Sequence, residues 1–76
     1  MDTTQITEHM EVVGSDGKHV GKVDHVMGSQ IELAKMDLTA MGKHHMIPTS
    51  WIDWVDEKVH LTLTHDEAKA QWTEKH

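Results

Sequence analysis

Histidine is the residue type in this chain with the widest chemical scope, because imidazole binds metal ions and exchanges protons near neutral pH. Eight of the 76 residues are histidines, and His44 and His45 are adjacent. Neighbours on a strand point to opposite faces, so this pair cannot bind one ion together. A metal site needs one of them to meet His25, His60 or Asp24 from another strand, with an imidazole nitrogen about 2.0–2.1 Å from zinc.

The histidines therefore leave two interpretations open. In the first, His25, His44, His45 and His60 supply candidate metal ligands or a pH sensor, since protonation of all eight histidines would reverse the sign of the net charge of -6. In the second, one histidine of the adjacent pair is hydrogen-bonded at the edge of the core and the other is solvated. We expect the second, with no metal and no cofactor, and keep the first as the alternative function.

Catalysis needs a nucleophile, or a paired acid and base, held in a pocket. The serines at positions 15, 29 and 50 fall in predicted turns, and the acid and base of Asp24-His25 are separated by strand geometry. A barrel of this size is filled by its own side chains, which leaves no room for a substrate. We expect that the protein is not an enzyme and has no catalytic residues.

Three tryptophans are the only aromatic residues, and tryptophan is enriched at binding hot spots. Without Phe or Tyr, part of this set must anchor the core, and we expect Trp51 and Trp72 to be packed. Trp54 is the better candidate for an exposed contact. The acids beside it, Asp53 and Asp56, would favour a basic partner surface.

Composition restricts the class of protein further. The chain has no cysteine, which excludes disulfides and thiolate zinc sites. Its charge is acidic and it lacks arginine, so nucleic acid is not expected as a partner. The first residues form no secretory signal and no apolar run is long enough to span a membrane, which favours a cytoplasmic protein. So small a core also favours a homodimer that covers edge strands.

The segment from Val12 to Val26 predicts a hairpin with a strongly bent second strand. Ser15-Asp16-Gly17 is a turn sequence, with Gly17 supplying a positive φ. Valines at positions 20, 23 and 26 recur every third residue, which violates strand alternation unless a bulge near Gly21 absorbs one residue. A second hairpin follows at residues 27–30.

The rest of the chain alternates between strands and turns. In residues 31–35, Ile31 and Leu33 are expected to face inward and Glu32 outward. Residues 44–47 resume extended structure until Pro48, and residues 58–64 alternate again. The stretch at 36–43 is predicted to be an exposed loop, and residues 2–10 one or two helical turns that lay two apolar side chains, Ile6 and Met10, on the barrel.

A capping box predicts the last element. Thr64 stands three residues before Glu67, so each side chain can bond the other's backbone N–H. A helix over about residues 65–74 follows, with Ala68 and Trp72 as its apolar stripe. Together the elements predict a single mainly β domain over residues 1–76. It would be a small SH3-like barrel of about five to six antiparallel strands, with a short N-terminal helical turn and a C-terminal helix.

Nearly the whole chain resembles a bacterial family of small proteins, domain of unknown function 2171, on the segments QITEHMEVVGSDGKHVGKVDHV, HHMIPTSWIDWV and KVHLTLTHDEAKAQW. The DG-x-x-VG-x-V run is also similar to the photosynthetic-reaction-centre (PRC) type β-barrel, which serves as an adaptor in unrelated assemblies. The resemblance implies an interaction module and transfers no functional residue. We therefore expect a non-enzymatic cytoplasmic adaptor that binds a protein partner through one barrel face.

Overall fold

The structure, a computed structural model, describes residues 5–34 and 44–74. Its regular elements are strands β1 (Glu11–Val13), β2 (His19–Met27), β3 (Gln30–Leu33), β4 (His45–Pro48), β5 (Ile52–Val55), β6 (Lys58–Leu61) and β7 (Thr73–Glu74), a 3-10 helix (Thr49–Trp51) and helix α1 (His65–Gln71). Across these residues, no helix has the length and apolar character needed to cross a bilayer.

All strands belong to one sheet, in the order β5-β6-β1-β2-β3-β4-β7. Six strands form its body, and the two-residue β7 extends one edge. Neighbours are antiparallel except β1 and β6, which are parallel. The predicted mainly β class with a C-terminal helix is confirmed. The sheet is mixed and is not closed, because β5 and β7 lie at opposite ends of the strand order.

The first hairpin has the predicted turn. Gly17 has a φ of 81°, a conformation that a side chain would strain. Its N–H donates to the carbonyl of Gly14 at 2.9 Å. Gly14 packs so closely on the start of α1 that a Cβ there would lie 2.5 Å from the backbone nitrogen of His65. This glycine therefore sets how near helix α1 approaches the sheet.

Strand β2 absorbs two extra residues, which confirms the predicted bend. Val12 pairs with Gly21 and Val13 with His19, so Val20 has no residue opposite it on β1. On the other side, the register against β3 shifts between Val23 and His25. Each shift reverses the alternation that follows it. Valines three residues apart therefore all contact the core: two are fully buried and the third is partly buried.

The core is almost wholly aliphatic. Its buried members are Ile6, Val12, Val20, Val23, Ile31, Leu33, Ile47, Ile52, Val59, Leu61 and Ala68. Ile6 and Met10 pack against it as predicted. The expected helical turns fall partly on residues 2–4, outside the described residues. Over residues 7–10 the chain turns instead, with His9 at a φ of 69° and its N–H bonded to the carbonyl of Val23.

The C-terminal segment confirms the cap and corrects the helix end. The hydroxyl of Thr64 accepts from the N–H of Glu67, and the carboxylate of Glu67 accepts from the N–H of Thr64. Helix α1 nevertheless ends at Gln71, and Trp72 has extended backbone angles. The helix stops because the next residues pair with β4 as strand β7. Trp72 is therefore a C-cap residue and not part of a helical stripe.

Other predicted boundaries move by a few residues. Pro48 is the last residue of β4, as expected for a residue that cannot donate a backbone hydrogen bond. Strand β6 ends at Leu61, three residues before the predicted end. Leu61 pairs with Ile52, the first residue of β5, and the residues before Ile52 form the 3-10 helix. The loop predicted at 36–43 lies outside the described residues.

Candidate functional site

Glu32, in the middle of strand β3, is the most unexpected side chain of the molecule. Sequence alternation placed it in solvent, but its side chain is only 3% exposed. The alternation itself is correct, because Ile31 and Leu33 are buried in the core. The prediction was wrong because two histidines, His25 from β2 and His44 beside β4, cover the face on which Glu32 lies.

Four polar residues from three adjacent strand segments meet at this point: Asp24, His25, Glu32 and His44, named here the His–carboxylate cluster. Glu32 Oε2 lies 3.0 Å from His25 Nε2, and Glu32 Oε1 lies 3.4 Å from His44 Nδ1. Asp24 Oδ2 is 3.5 Å from His25 Nδ1 and 3.9 Å from His44 Nδ1. One ligand-type atom from each of Asp24, Glu32 and His44 lies within 4.8 Å of the other two.

The sheet positions these side chains. His25 pairs directly with Glu32 across the β2–β3 ladder, because the two-residue turn at Gly28 fixes the register of this hairpin. Asp24 is the extra residue of the second register shift, which brings it to the same face as its neighbour. His44 precedes β4, and its Nδ1 donates a hydrogen bond to the carbonyl of Leu33 at 3.0 Å.

Imidazole N–H groups solvate the buried carboxylate. A carboxylate removed from water is costly unless hydrogen-bond donors or positive charge surround it. His25 Nε2 lies 3.0 Å from Glu32, and His44 Nδ1, which donates to the Leu33 carbonyl, lies 3.4 Å from the same carboxylate. With the Nδ1 hydrogen of His44 moved to Nε2, the arrangement can hold a cation.

The candidate ligands named from the sequence are divided by the structure. His44 does meet Asp24 from another strand segment, which is the condition set for a metal site, and His25 lies beside Asp24 on β2. His45 points to the other side of the sheet and stacks on Trp72, with ring centroids 3.8 Å apart. The argument that adjacent histidines cannot share an ion is confirmed by these opposite directions.

His60 lies outside the cluster, on β6, the strand next to the edge strand β5. Its ring stacks on Trp54 with centroids 3.8 Å apart and planes 5° from parallel. Its Nε2 donates to Asp56 Oδ1 at 2.8 Å. We call Trp54, His60, Asp53 and Asp56 the Trp54 surface. Trp54 is 50% exposed, and Asp53 and Asp56 are both exposed.

The predicted burial of the tryptophans is confirmed. Trp51 and Trp72 pack against the core, and Trp54 is the exposed one. Among the described residues, it shares with Met27 the status of a large apolar side chain left in solvent.

Hydrogen bonds fix Asp56 at the turn between β5 and β6. Its Oδ1 accepts from the backbone N–H of Lys58 at 2.8 Å, in addition to the ring of His60. The Lys58 N–H, followed by the hydrogen bond from His60, holds the pKa of Asp56 below its ordinary value. The carboxylate therefore stays charged in mildly acidic solution.

Glu32 is the site residue that sequence reasoning missed. A signal for it exists in the β2–β3 hairpin: counting outward from the turn at Gly28 pairs Met27 with Gln30, and Val26 with Ile31. The next pair is His25 with Glu32, so an acid and a base lie directly across two neighbouring strands.

Comparison with known proteins gives a family and no described activity. The model of DUF2171, a family described as uncharacterized proteins conserved in bacteria, matches residues 6–69. The match includes every strand of the sheet except β7, and thus both the His–carboxylate cluster and the Trp54 surface. No curated relative matches the chain.

Proposed function

The chain belongs to the DUF2171 family of bacterial proteins, and we propose that it is a non-enzymatic interaction module. It binds a basic segment of a protein partner through the Trp54 surface. The observation that carries this proposal is the stack of a half-exposed tryptophan on His60, with acidic side chains beside it. We place this function in the cytoplasm, in keeping with a chain that has no cysteine.

The stack prepares Trp54 for binding. Its indole is already held by an imidazole plane 3.8 Å away, and the hydrogen bond to Asp56 fixes that imidazole in turn. A side chain ordered before binding loses less conformational entropy when a partner arrives. The exposed half of the ring remains available as an anchor, the role in which tryptophan is most common at interfaces.

Charge defines the class of partner. Asp53, Asp56 and Glu57 lie within three residues of Trp54 and are exposed, and the whole chain carries a net charge of -6. A Lys or Arg side chain laid on the ring face gains a cation–π contact, and its charge is within reach of the acids. A partner segment rich in Lys or Arg therefore matches both features of this surface.

We also propose a relationship between this fold and the PRC-type barrel. Support comes from the glycine-rich run from Asp16 to Val23, which forms the β1 turn and the bent part of β2. In that barrel class the fold serves as an adaptor, which agrees with an interaction role.

The homodimer expected from the small core stays a prediction. In the part of the chain that the structure describes, the edge strands of the sheet are β5 and β7. Pairing two β5 edges would bring the acidic residues Asp53 and Asp56 of two copies together. Sedimentation at high micromolar concentration measures the state directly. A monodisperse monomer there would contradict the homodimer.

The proposal is tested by capture on wild-type protein and two variants, Trp54→Ala and Met27→Ala. The second removes Met27, the other exposed large apolar side chain among residues 5–34 and 44–74, at the far end of β2, and is the matched control. We expect a partner from lysate of the native host that wild type and Met27→Ala retain and Trp54→Ala loses. That partner, purified, should bind Asp53→Asn/Asp56→Asn more weakly and with a smaller dependence on salt.

Equal retention by Trp54→Ala and wild type would contradict the proposal, as would a partner whose contact surface is acidic. If only a second copy of this chain is retained, the Trp54 surface is a dimer interface and the proposed partner class is wrong.

A further inference from the structure

We infer that the His–carboxylate cluster is a binding site for one divalent transition-metal ion of the zinc class. Asp24, Glu32 and His44 supply the ligands, and His25 orients Glu32. This site is separate from the Trp54 surface, because it involves β2, β3 and β4, whereas Trp54 lies on β5 at the edge of the sheet. The inference does not depend on the proposed interaction with a protein.

Distances within the cluster suit tetrahedral coordination. Zinc holds nitrogen and oxygen ligands at about 2.0–2.2 Å, so two ligands of one tetrahedral ion lie about 3.3–3.6 Å apart. Glu32 Oε1 and His44 Nδ1 are separated by 3.4 Å, and Asp24 Oδ2 is 3.9 Å from the same nitrogen. The ligand atoms of all three residues lie within 4.8 Å of one another, so coordination requires the Asp24 carboxylate to move toward Glu32 and His44.

The charge of the cluster favours a dication. Two carboxylates meet here, and the side chain of Glu32 is 3% exposed, where charges interact more strongly than in water. An ion between Asp24 and Glu32 would neutralise both. Binding requires the Nδ1 of His44 to exchange its hydrogen bond to Leu33 for the metal, with the ring proton carried on Nε2.

His25 fits the part of a supporting residue. Its Nε2 lies 3.0 Å from Glu32 Oε2, the oxygen that does not face His44. Carboxylates that bind metals are themselves held by hydrogen bonds of this kind, which fix their direction and tune affinity. His25 thus acts through Glu32, and its removal should weaken binding without removing a ligand.

Solvent access to the cluster and the types of its ligand atoms restrict which metal ions it can bind. Asp24 is 41% exposed and His44 29%, so an ion can enter from solvent and keep water at its fourth position. Imidazole together with carboxylate favours Zn²⁺, Co²⁺ or Ni²⁺, whereas Mg²⁺ and Ca²⁺ prefer ligand sets made only of oxygen. Zinc is the probe, and cobalt reports the geometry.

The test titrates EDTA-treated full-length protein with Zn²⁺ by calorimetry and follows Co²⁺ by its visible absorption. Wild type should bind one equivalent of Zn²⁺, and the NMR signals of the His25 and His44 rings should shift. Bound Co²⁺ should show the visible absorption spectrum of a tetrahedral site. His25→Gln should weaken Zn²⁺ binding by about 10–100-fold, and His44→Gln more. Asp24→Asn replaces the most solvent-exposed of the three ligands, so this variant is expected to disturb the fold least.

His60→Gln is the matched control, because it removes a histidine that binds an acid outside the cluster. Its affinity for Zn²⁺ should equal that of wild type. Loss of binding in this variant, an unchanged affinity in both Asp24→Asn and His44→Gln, or no Zn²⁺ heat at micromolar protein would overturn the site. Circular dichroism of each variant without metal separates a lost ligand from a lost fold.

Discussion

Two histidine–tryptophan stacks lie in different parts of the sheet and have the same separation between rings. In one, His45 of β4 contacts Trp72, and in the other His60 of β6 contacts Trp54, with centroids 3.8 Å apart in both. The first is interior, since His45 is 5% exposed. The second leaves half of the indole of Trp54 in solvent.

The difference shows that surroundings, and not the contact, decide what an aromatic pair does. A stack contributes about 0.5–1.5 kcal/mol beyond the free energy gained by burying its apolar surface. For a large ring the contribution from buried surface is the larger of the two. Trp72 packs on the core and ties the chain end after α1 to β4. Trp54 covers little of the core and presents its other face outward. The interior stack stabilises, and the exposed stack is available for binding.

Truncating each tryptophan tests this division most directly. We expect Trp72→Ala to lower the free energy of unfolding by about 2–3 kcal/mol, somewhat less than a fully buried tryptophan would. Trp54→Ala should cost about 1 kcal/mol or less, because its ring is half exposed. Urea unfolding followed by circular dichroism measures both. Equal losses would remove the distinction between the stacks.

The next largest difference in stability is expected between variants of two acidic residues, Glu32 in the His–carboxylate cluster and Asp56 in the Trp54 surface. Glu32→Ala should lower the free energy of unfolding by about 1–3 kcal/mol. The reason is that His25 and His44 lose the carboxylate that they contact. Asp56→Ala, at an exposed turn, should cost less. Both are measured in urea with EDTA present, so that metal does not contribute. A larger loss for Asp56→Ala would show that the cluster does not stabilise the fold.

Variants of the helix cap at Thr64 test whether helix α1 positions Trp72 against His45. Thr64→Ala should destabilise the protein by about 1 kcal/mol, because the N–H of Glu67 loses its acceptor. Thr64→Ser keeps the hydroxyl and should remain near wild type. Since α1 leads directly to Trp72, the alanine variant should also expose that ring to acrylamide quenching more than Thr64→Ser does. Identical quenching in both would mean that β7 alone positions Trp72.

Acid titration gives the smallest effect, at the exposed stack. The folded pKa of Asp56 lies below its ordinary value because the Lys58 N–H and His60 bind the charged form. The stability from this carboxylate is therefore present above its unfolded pKa and is lost as the pH falls through its folded pKa. Asp56→Asn should be less stable than wild type at pH 6 and converge on it in strong acid. A difference independent of pH would contradict this origin.

Local signals in the sequence predicted what local physics determines. The Gly17 turn, the bend of β2 and the Thr64–Glu67 cap each depend on residues a few positions apart, and all three are present. The exposure of Trp54 was also predicted, because only some of the tryptophans are needed to fill so small a core.

Long-range contacts account for the errors. Burial of Glu32 depends in part on His44, which lies just before β4 and 12 residues away in the sequence. The alternation of apolar and polar residues along β3 contains no information about this contact. The early end of α1 depends on pairing between Thr73 and Met46 across the chain. The parallel neighbour of β1 was likewise invisible, since the extended pattern of β6 is the same in either direction.

That parallel neighbour affects how the protein forms during synthesis. Strand β1 borders β2, the next strand in the chain, and β6, the penultimate one. As the polypeptide leaves the ribosome, the first hairpin can fold early, but the other side of β1 must wait for nearly all of the remaining residues. During that interval its unpaired backbone is a template for association between nascent chains. Slow translation after the β2–β3 hairpin should therefore lower the yield of native protein.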